Sequence, residues 1–185
     1  AISIAGNDFI CNNPETYFVN NLPCNASVAW TVSPGGIVSS SISGNSVTLT
    51  KITNGTITLT ANVTGACGVS VPALTKTINA QSTPPNPTAA NLVNYQQVPG
   101  EKFAEYEILP NVAGATYVVT PTVQNYTYYF VYGNMVEVVY PCINAPGTFT
   151  GTVNIQNGCG TSAGSVTINR SFSVCGGGGG RDRSI

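Results

Sequence analysis

Gly55-Thr56-Ile57-Thr58-Leu59-Thr60-Ala61-Asn62-Val63-Thr64-Gly65-Ala66-Cys67-Gly68 decides how the chain reads. It returns 92 residues later as Gly147-Thr148-Phe149-Thr150-Gly151-Thr152-Val153-Asn154-Ile155-Gln156-Asn157-Gly158-Cys159-Gly160, with seven of 14 positions identical. In the first copy Ile57, Leu59, Ala61 and Val63 alternate with Thr56, Thr58, Thr60 and Asn62. That is the period of a strand with one buried face. Upstream, residues 22–34 align without gaps on residues 109–121, at an offset of 87, placing Trp30 opposite Tyr117 and Val32 opposite Val119. Two blocks in the same order with similar offsets mean one unit written twice.

Two copies in 185 residues give units near the ~100-residue size of an immunoglobulin-like sandwich. Each buries a modest core and is only marginally stable without help. Charged residues make up 7% of the chain, against roughly 25% in an average soluble domain. Thr, Ser and Asn side chains must therefore carry solubility, which suits an extracellular protein. With six Lys/Arg and a net charge of −1, no basic patch exists to neutralise a phosphate backbone, so nucleic acid is not expected as a partner. No apolar run is long enough for a transmembrane helix. The chain opens at Ala1 without Met, and is expected to be a mature or excised piece of something longer. Histidine is absent, which removes the usual general base, proton shuttle and commonest metal ligand. No enzyme activity and no cofactor are expected.

Six cysteines divide three and three between the copies: Cys11, Cys24 and Cys67, then Cys142, Cys159 and Cys175. No C-x-x-C occurs, so zinc is a poor reading. Disulfides in an oxidising compartment fit the composition better than scattered thiols. Only one bridge can close inside each copy. The leftovers are either two free thiols or a bridge between copies.

The first copy is expected over residues 1–80. Its strands lie near residues 2–4, 9–11, 16–19, 27–32, 37–38, 46–52, 55–64 and 73–78, with the Ser33-Pro34-Gly35-Gly36 turn among the punctuation. Ser82-Thr83-Pro84-Pro85-Asn86-Pro87-Thr88 marks residues 81–88 as a Pro-rich linker. The second copy covers residues 89–175, and the glycine-rich residues 176–185 form a flexible tail. No stretch sustains a 3.6-residue period, so helix should be nearly absent. The expected fold is all-β: two tandem immunoglobulin-like antiparallel β-sandwiches.

The first copy combines Gly6-x-x-x-Ile10-Cys11, Asn21-Leu22-Pro23, Val28-Ala29-Trp30-Thr31-Val32-Ser33-Pro34, Asn54-Gly55-Thr56 and Ala66-Cys67-Gly68. It resembles the PKD-like, immunoglobulin-like repeats of large secreted and surface proteins of Bacteroidetes. The second copy shares only Ala113-Gly114-Ala115-Thr116-Tyr117 and residues 147–160. Tyr117 stands there for the tryptophan, and Val98 for the opening cysteine. In that family such repeats often precede a sorting domain used by type IX secretion, and residues 176–185 look like the linker into one. The resemblance implies a non-catalytic extracellular or cell-surface module, a spacer or adhesion stalk of a larger protein, with no catalytic residues to carry over. With an immunoglobulin-like strand order, Cys67 closes with Cys11 or Cys24, and the family pattern favours Cys11. In the second copy Cys142 and Cys175 fall at one pole and are the expected pair.

Tyr126-Thr127-Tyr128-Tyr129-Phe130-Val131-Tyr132 is the one local anomaly. Read as a strand, it puts Tyr126, Tyr128, Phe130 and Tyr132 on one face, with Tyr129 and Val131 on the other. The sharper reading is a flat aromatic platform for sugar rings, or a sticky patch for a surface-protein partner. The plainer one is core on one side and a neighbouring strand or domain on the other. Glu101, Glu105 and Glu107 are adjacent carboxylates that read first as solvated charge. Glycoside hydrolysis and calcium binding with Asp8 are weaker readings, and no metal site is expected. Five N-x-S/T triplets, at Asn25, Asn54, Asn62, Asn125 and Asn169, are unsurprising in so Thr-rich a chain. Thr-rich strand faces resemble hydroxyl arrays that bind ice or polysaccharide, although the short irregular repeats argue against ice. Besides the spacer or stalk, two functions stay open: a carbohydrate-binding module attached to a secreted hydrolase, and a self-assembling structural subunit.

Overall fold

A computed structural model describes residues 1–65 and 71–175. The chain divides into two compact units, Ala1–Thr83 and Pro84–Ile185. The described elements are all strands. No helix among the described residues is long and apolar enough to cross a membrane, which says nothing of β-barrels.

The first unit contains β1 (Ser3–Ala5), β2 (Phe9–Ile10), β3 (Glu15–Asn20), β4 (Ser27–Ser33), β5 (Val38–Ser43), β6 (Ser46–Lys51), β7 (Gly55–Thr64) and β8 (Leu74–Ala80). They form two sheets, ordered β1-β3-β6-β5 and β2-β8-β7-β4. Numbered in chain order, this is the A-B-E-D and G-F-C arrangement of an immunoglobulin sandwich, with the first strand split between the sheets. The split is visible in the pairing: β1 runs antiparallel to β3, and β2 parallel to β8. Trp30 sits buried on the third strand of this scheme, β4. It packs in a core with Tyr17, Leu49, Ile57, Leu59 and Ile78. Fully burying side chains of this size contributes about 1.5–3 kcal/mol each.

The second unit contains β9 (Ala89–Val98), β10 (Glu101–Leu109), β11 (Thr116–Asn125), β12 (Tyr128–Tyr132), β13 (Met135–Pro141), β14 (Gly147–Asn157), β15 (Gly160–Thr161) and β16 (Val166–Phe172). One sheet is ordered β12-β13-β10-β9. In the other, β14 lies between β11 on one side and β15 and β16 on the other. β15 and β16 are two pieces of one edge, interrupted at Ser162. There the Ser162 hydroxyl accepts from Ile155 N (3.1 Å) and donates to the Gly164 carbonyl (2.8 Å). Pro121 lies within β11. β11 is a sheet edge and its register shifts between Pro121 and Val123, the setting in which a strand tolerates proline.

The two repeated blocks are hydrogen-bonded neighbours in each unit: β4 pairs with β7, and β11 with β14. In the first unit Trp30 faces Ala61 and Val32 faces Leu59. In the second Tyr117 faces Ile155 and Val119 faces Val153. Sequence matching would set Tyr117 against Val153, so the second pairing is displaced by two residues. An even displacement keeps the same side chains inward, because strand side chains alternate with period two.

Residues 81–88, expected as a linker, are shared between the units. Gln81 N bonds the Ile10 carbonyl (2.9 Å) and Lys51 Nζ donates to Ser82 Oγ (2.6 Å). Thr88 N bonds the Leu109 carbonyl (2.8 Å), and Asn86 Oδ1 accepts from Gly164 N (2.7 Å). Cys142 and Cys175 form a disulfide with Cα atoms 5.3 Å apart. Cys11, Cys24 and Cys159 are disulfide-bonded too, and no described cysteine is free. The closure of Cys67 lies outside the described residues, as does the 176–185 tail. Lys102, inward on β10 and 3% exposed, donates to Ser173 Oγ (2.9 Å) and the Ser173 carbonyl (3.2 Å).

Candidate functional site

The aromatic run is not one strand. β11 ends at Asn125, and Tyr126 turns the chain with a left-handed backbone (φ 51°) before β12 starts at Tyr128. Thr127 pins this turn: it is buried, its Oγ1 donates to the Thr148 carbonyl (3.3 Å), and its own carbonyl accepts from Gln124 Nε2 (3.1 Å). Tyr126 therefore leaves the shared face it was expected to join and stands alone, 58% exposed. Tyr129 points into the core, its ring 5.6 Å from that of Phe149.

Tyr128, Phe130 and Tyr132 do share the outer face of β12. The two-residue turn Gly133-Asn134, with Gly133 at φ 61°, is a hairpin connection whose geometry sets the pairing. Across the sheet, Tyr128 aligns with Val139, Phe103 and Gln96. Phe130 aligns with Glu137, Glu105 and Asn94, and Tyr132 with Met135, Glu107 and Asn91. Glu101 extends the same face of β10. Four of the chain's seven acidic residues thus occupy one sheet face, with rings along one edge and amides along the other.

The phenols and amides tie the carboxylates down. Tyr128 donates to Glu101 Oε1 (2.9 Å), and Tyr132 donates to Glu105 Oε1 (2.7 Å), with Glu137 Oε2 at 3.4 Å. Asn94 donates to the second oxygen of Glu105 (2.7 Å), and Asn134 to Glu107 (3.4 Å). The bonds from Asn94 and then Tyr132 hold the Glu105 carboxyl below its ordinary value. Desolvation and then the Glu101 bond push the Tyr128 phenol up; desolvation and the Glu105 bond do the same to Tyr132. Glu105 faces Glu137 directly, and like charges directly opposite one another are destabilising.

The rings do not form a plane. Tyr128 and Phe130 meet at 85°, with centroids 5.6 Å apart, an edge-to-face contact. A flat stacking platform is therefore not what this face provides. Nor do its carboxylates converge: among the described residues no group of three or more His, Cys, Asp or Glu is placed to hold a metal ion. The face can display fixed negative charge beside half-exposed rings. Glu137, Asn94, Gln96 and Asn134 were not singled out from sequence. The alternation in Met135-Val136-Glu137-Val138 would have placed Glu137 outward, but nothing local puts β9 beside β10.

The fold is that of tandem immunoglobulin-like sandwiches. Among solved structures the chain is similar to murine CEACAM1b, with a TM-score of 0.54 and 13% identity over 95% of this chain and 99% of that one. A C-terminal fragment of intimin in complex with the intimin-binding domain of its translocated receptor matches at TM-score 0.46 and 16% identity, over 91% of this chain and 62% of that one. An I-band fragment of titin matches at 0.42 and 12%, over 91% and 63%. No family model and no curated protein sequence matches.

Proposed function

We propose that the chain is a non-catalytic extracellular module of a larger secreted or cell-surface protein, a spacer or adhesion stalk whose second unit contacts another surface protein. The observation that carries this reading is the outer face of β12-β13-β10-β9. It is a sheet face with Phe130 53% and Tyr132 44% exposed beside four carboxylates. Aromatic side chains concentrate binding energy at protein interfaces. The tandem repetition supports the spacer role. The chemistry supports the absence of catalysis: the chain has no histidine, and hydrogen bonds favour the ionised form of Glu105 rather than a proton donor. A sugar-stacking reading on this face needs coplanar rings, and the perpendicular Tyr128–Phe130 pair works against it.

Beads carrying the full chain, tested on protein coatings, should adhere to at least one of them. Phe130→Ala/Tyr132→Ala should lose that adhesion while keeping the β-sheet circular-dichroism spectrum. Hydrolysis of glycoside or peptide substrates by the purified chain would overturn the non-catalytic reading. Adhesion untouched by the double variant would remove the face from it.

A further inference from the structure

The duplicated strand carries an inverted pattern of identity. Thr56, Thr58 and Thr60 on β7 recur unchanged as Thr148, Thr150 and Thr152 on β14. All six alternate with core residues and stand on the outward side. Between them the buried Ile57 and Leu59 have become Phe149 and Gly151. Copies held only by the needs of folding do the reverse, since cores are constrained by packing and surface positions tolerate exchange. The neighbouring strand shows that ordinary behaviour in the same duplication. On β4 and β11 inward Val32 recurs as Val119 and inward Trp30 is replaced by another large aromatic, Tyr117, while outward Ala29, Thr31 and Ser33 have drifted to Thr116, Val118 and Thr120. A preference of strands for Thr would act on both strands alike.

The tertiary structure extends the pattern. In the first unit Thr60 lies between Thr31 and Thr75; in the second Thr152 lies between Thr120 and Thr167. Sequence matching would put Val118 in that second row. The two-residue displacement of β11 brings Thr120 there instead, so each unit presents three threonines side by side at about 4.8 Å spacing. The face is uncharged: Lys76 and Arg170 are the only ionisable Lys, Arg, Asp or Glu in the six strands concerned. Both occupy inward register positions, opposite Leu59 and Phe149.

We infer that these outward threonine rows, one on each unit, are binding faces for an uncharged polysaccharide. Neutral hydroxyl and methyl groups complement a neutral sugar chain, and the same row displayed twice suits a ligand that repeats along its length. A crystal surface such as ice would need a flat array, whereas sheets twist by roughly 20–25° per strand and a polymer can follow them. A second copy of the chain would need the large apolar anchors of a stable interface, which the rows do not contain. The inference uses the opposite sheet from the aromatic face and does not depend on it.

Affinity electrophoresis of the full chain through gels containing dextran, starch, mannan, xylan or a β-1,3-glucan tests it, with alginate as the charged comparison. At least one neutral glycan should retard the protein. T58V/T60V and T150V/T152V should each weaken retardation about tenfold, a factor of about three per lost hydroxyl, and the four-fold variant should abolish it. T58S/T60S should restore most of the first loss, and T16V/T48V, on the other sheet of the first unit, should change nothing. Unaltered circular dichroism keeps the comparison valid, since Thr→Val preserves the β-branched shape. No retardation by any neutral glycan, equal loss in T16V/T48V, or full binding by the four-fold variant would overturn the inference. So would glycan binding removed by F130A/Y132A alone, or self-association or ice shaping that disappears with the threonines.

Discussion

The two units are the same sandwich solved twice, and they differ most where they should agree. Trp30 and Tyr117 hold corresponding places in the two cores. The Trp30 indole N–H is buried without a hydrogen-bond partner. The Tyr117 hydroxyl donates to the Pro110 carbonyl (2.7 Å) and accepts from Val112 N (2.9 Å). The first unit spends its large aromatic on volume; the second uses a smaller one as a clasp on the chain that leads into its own strand. Topology survives because it needs only inward apolar residues of about the right size. The polar details belong to each copy.

That contrast can be broken at several points. The largest effect should come from the Cys142–Cys175 bridge, which closes a 33-residue separation. Cys142→Ser/Cys175→Ser should cost about 3–4 kcal/mol by loop entropy, read from amide exchange in β13 and β14. Next comes the duplicated glycine. A methyl on Gly147 would meet the buried Tyr140 ring at 2.4 Å, and one on Gly55 would meet the terminal methyl of Ile37 at 2.6 Å. Tyr140 is held, its hydroxyl 2.8 Å from the Ile143 carbonyl and 2.6 Å from that of Ala145. Gly147→Ala should therefore cost about 2–3 kcal/mol and Gly55→Ala about 1 or less, because a flexible side chain can yield. Equal losses in urea melts would contradict this account.

Smaller still is Tyr117→Phe. It should cost about 1–2 kcal/mol by stranding Val112 N–H and the Pro110 carbonyl. At Trp30 a change to Phe has no such bond to lose, and its cost should follow volume alone. The smallest effect is at Glu105. Its carboxyl titrates below the ordinary 4.5 in the folded chain, so its contribution is present above the unfolded value and lost as pH falls through the lowered one. Carboxyl NMR should show that midpoint rising in Asn94→Ala, and less in Tyr132→Phe.

Much of this was legible beforehand. Strict alternation in residues 55–64 can only be a half-buried strand. The turn residues of a 185-residue chain without helical periodicity leave a sandwich as the economical fold. The aromatic run was legible only in part. Tyr128, Phe130 and Tyr132 alternate as read, but Tyr126 departs because buried Thr127 anchors a left-handed turn before the strand begins. The carboxylate face was hidden further, since Glu105 and Glu137 are 32 residues apart in sequence and meet only through sheet order.

By itself the sequence determined where strands lie, which side of each is apolar, and that the unit occurs twice, because a period of two is a local property of the backbone. Tertiary structure alone decided the two-residue displacement of β11 along β14, the row Thr120–Thr152–Thr167, and the gathering of four glutamates on one sheet face, three of them bonded by the Tyr128 and Tyr132 hydroxyls. Pairing register and sheet order depend on partners distant along the chain. No local pattern contains them.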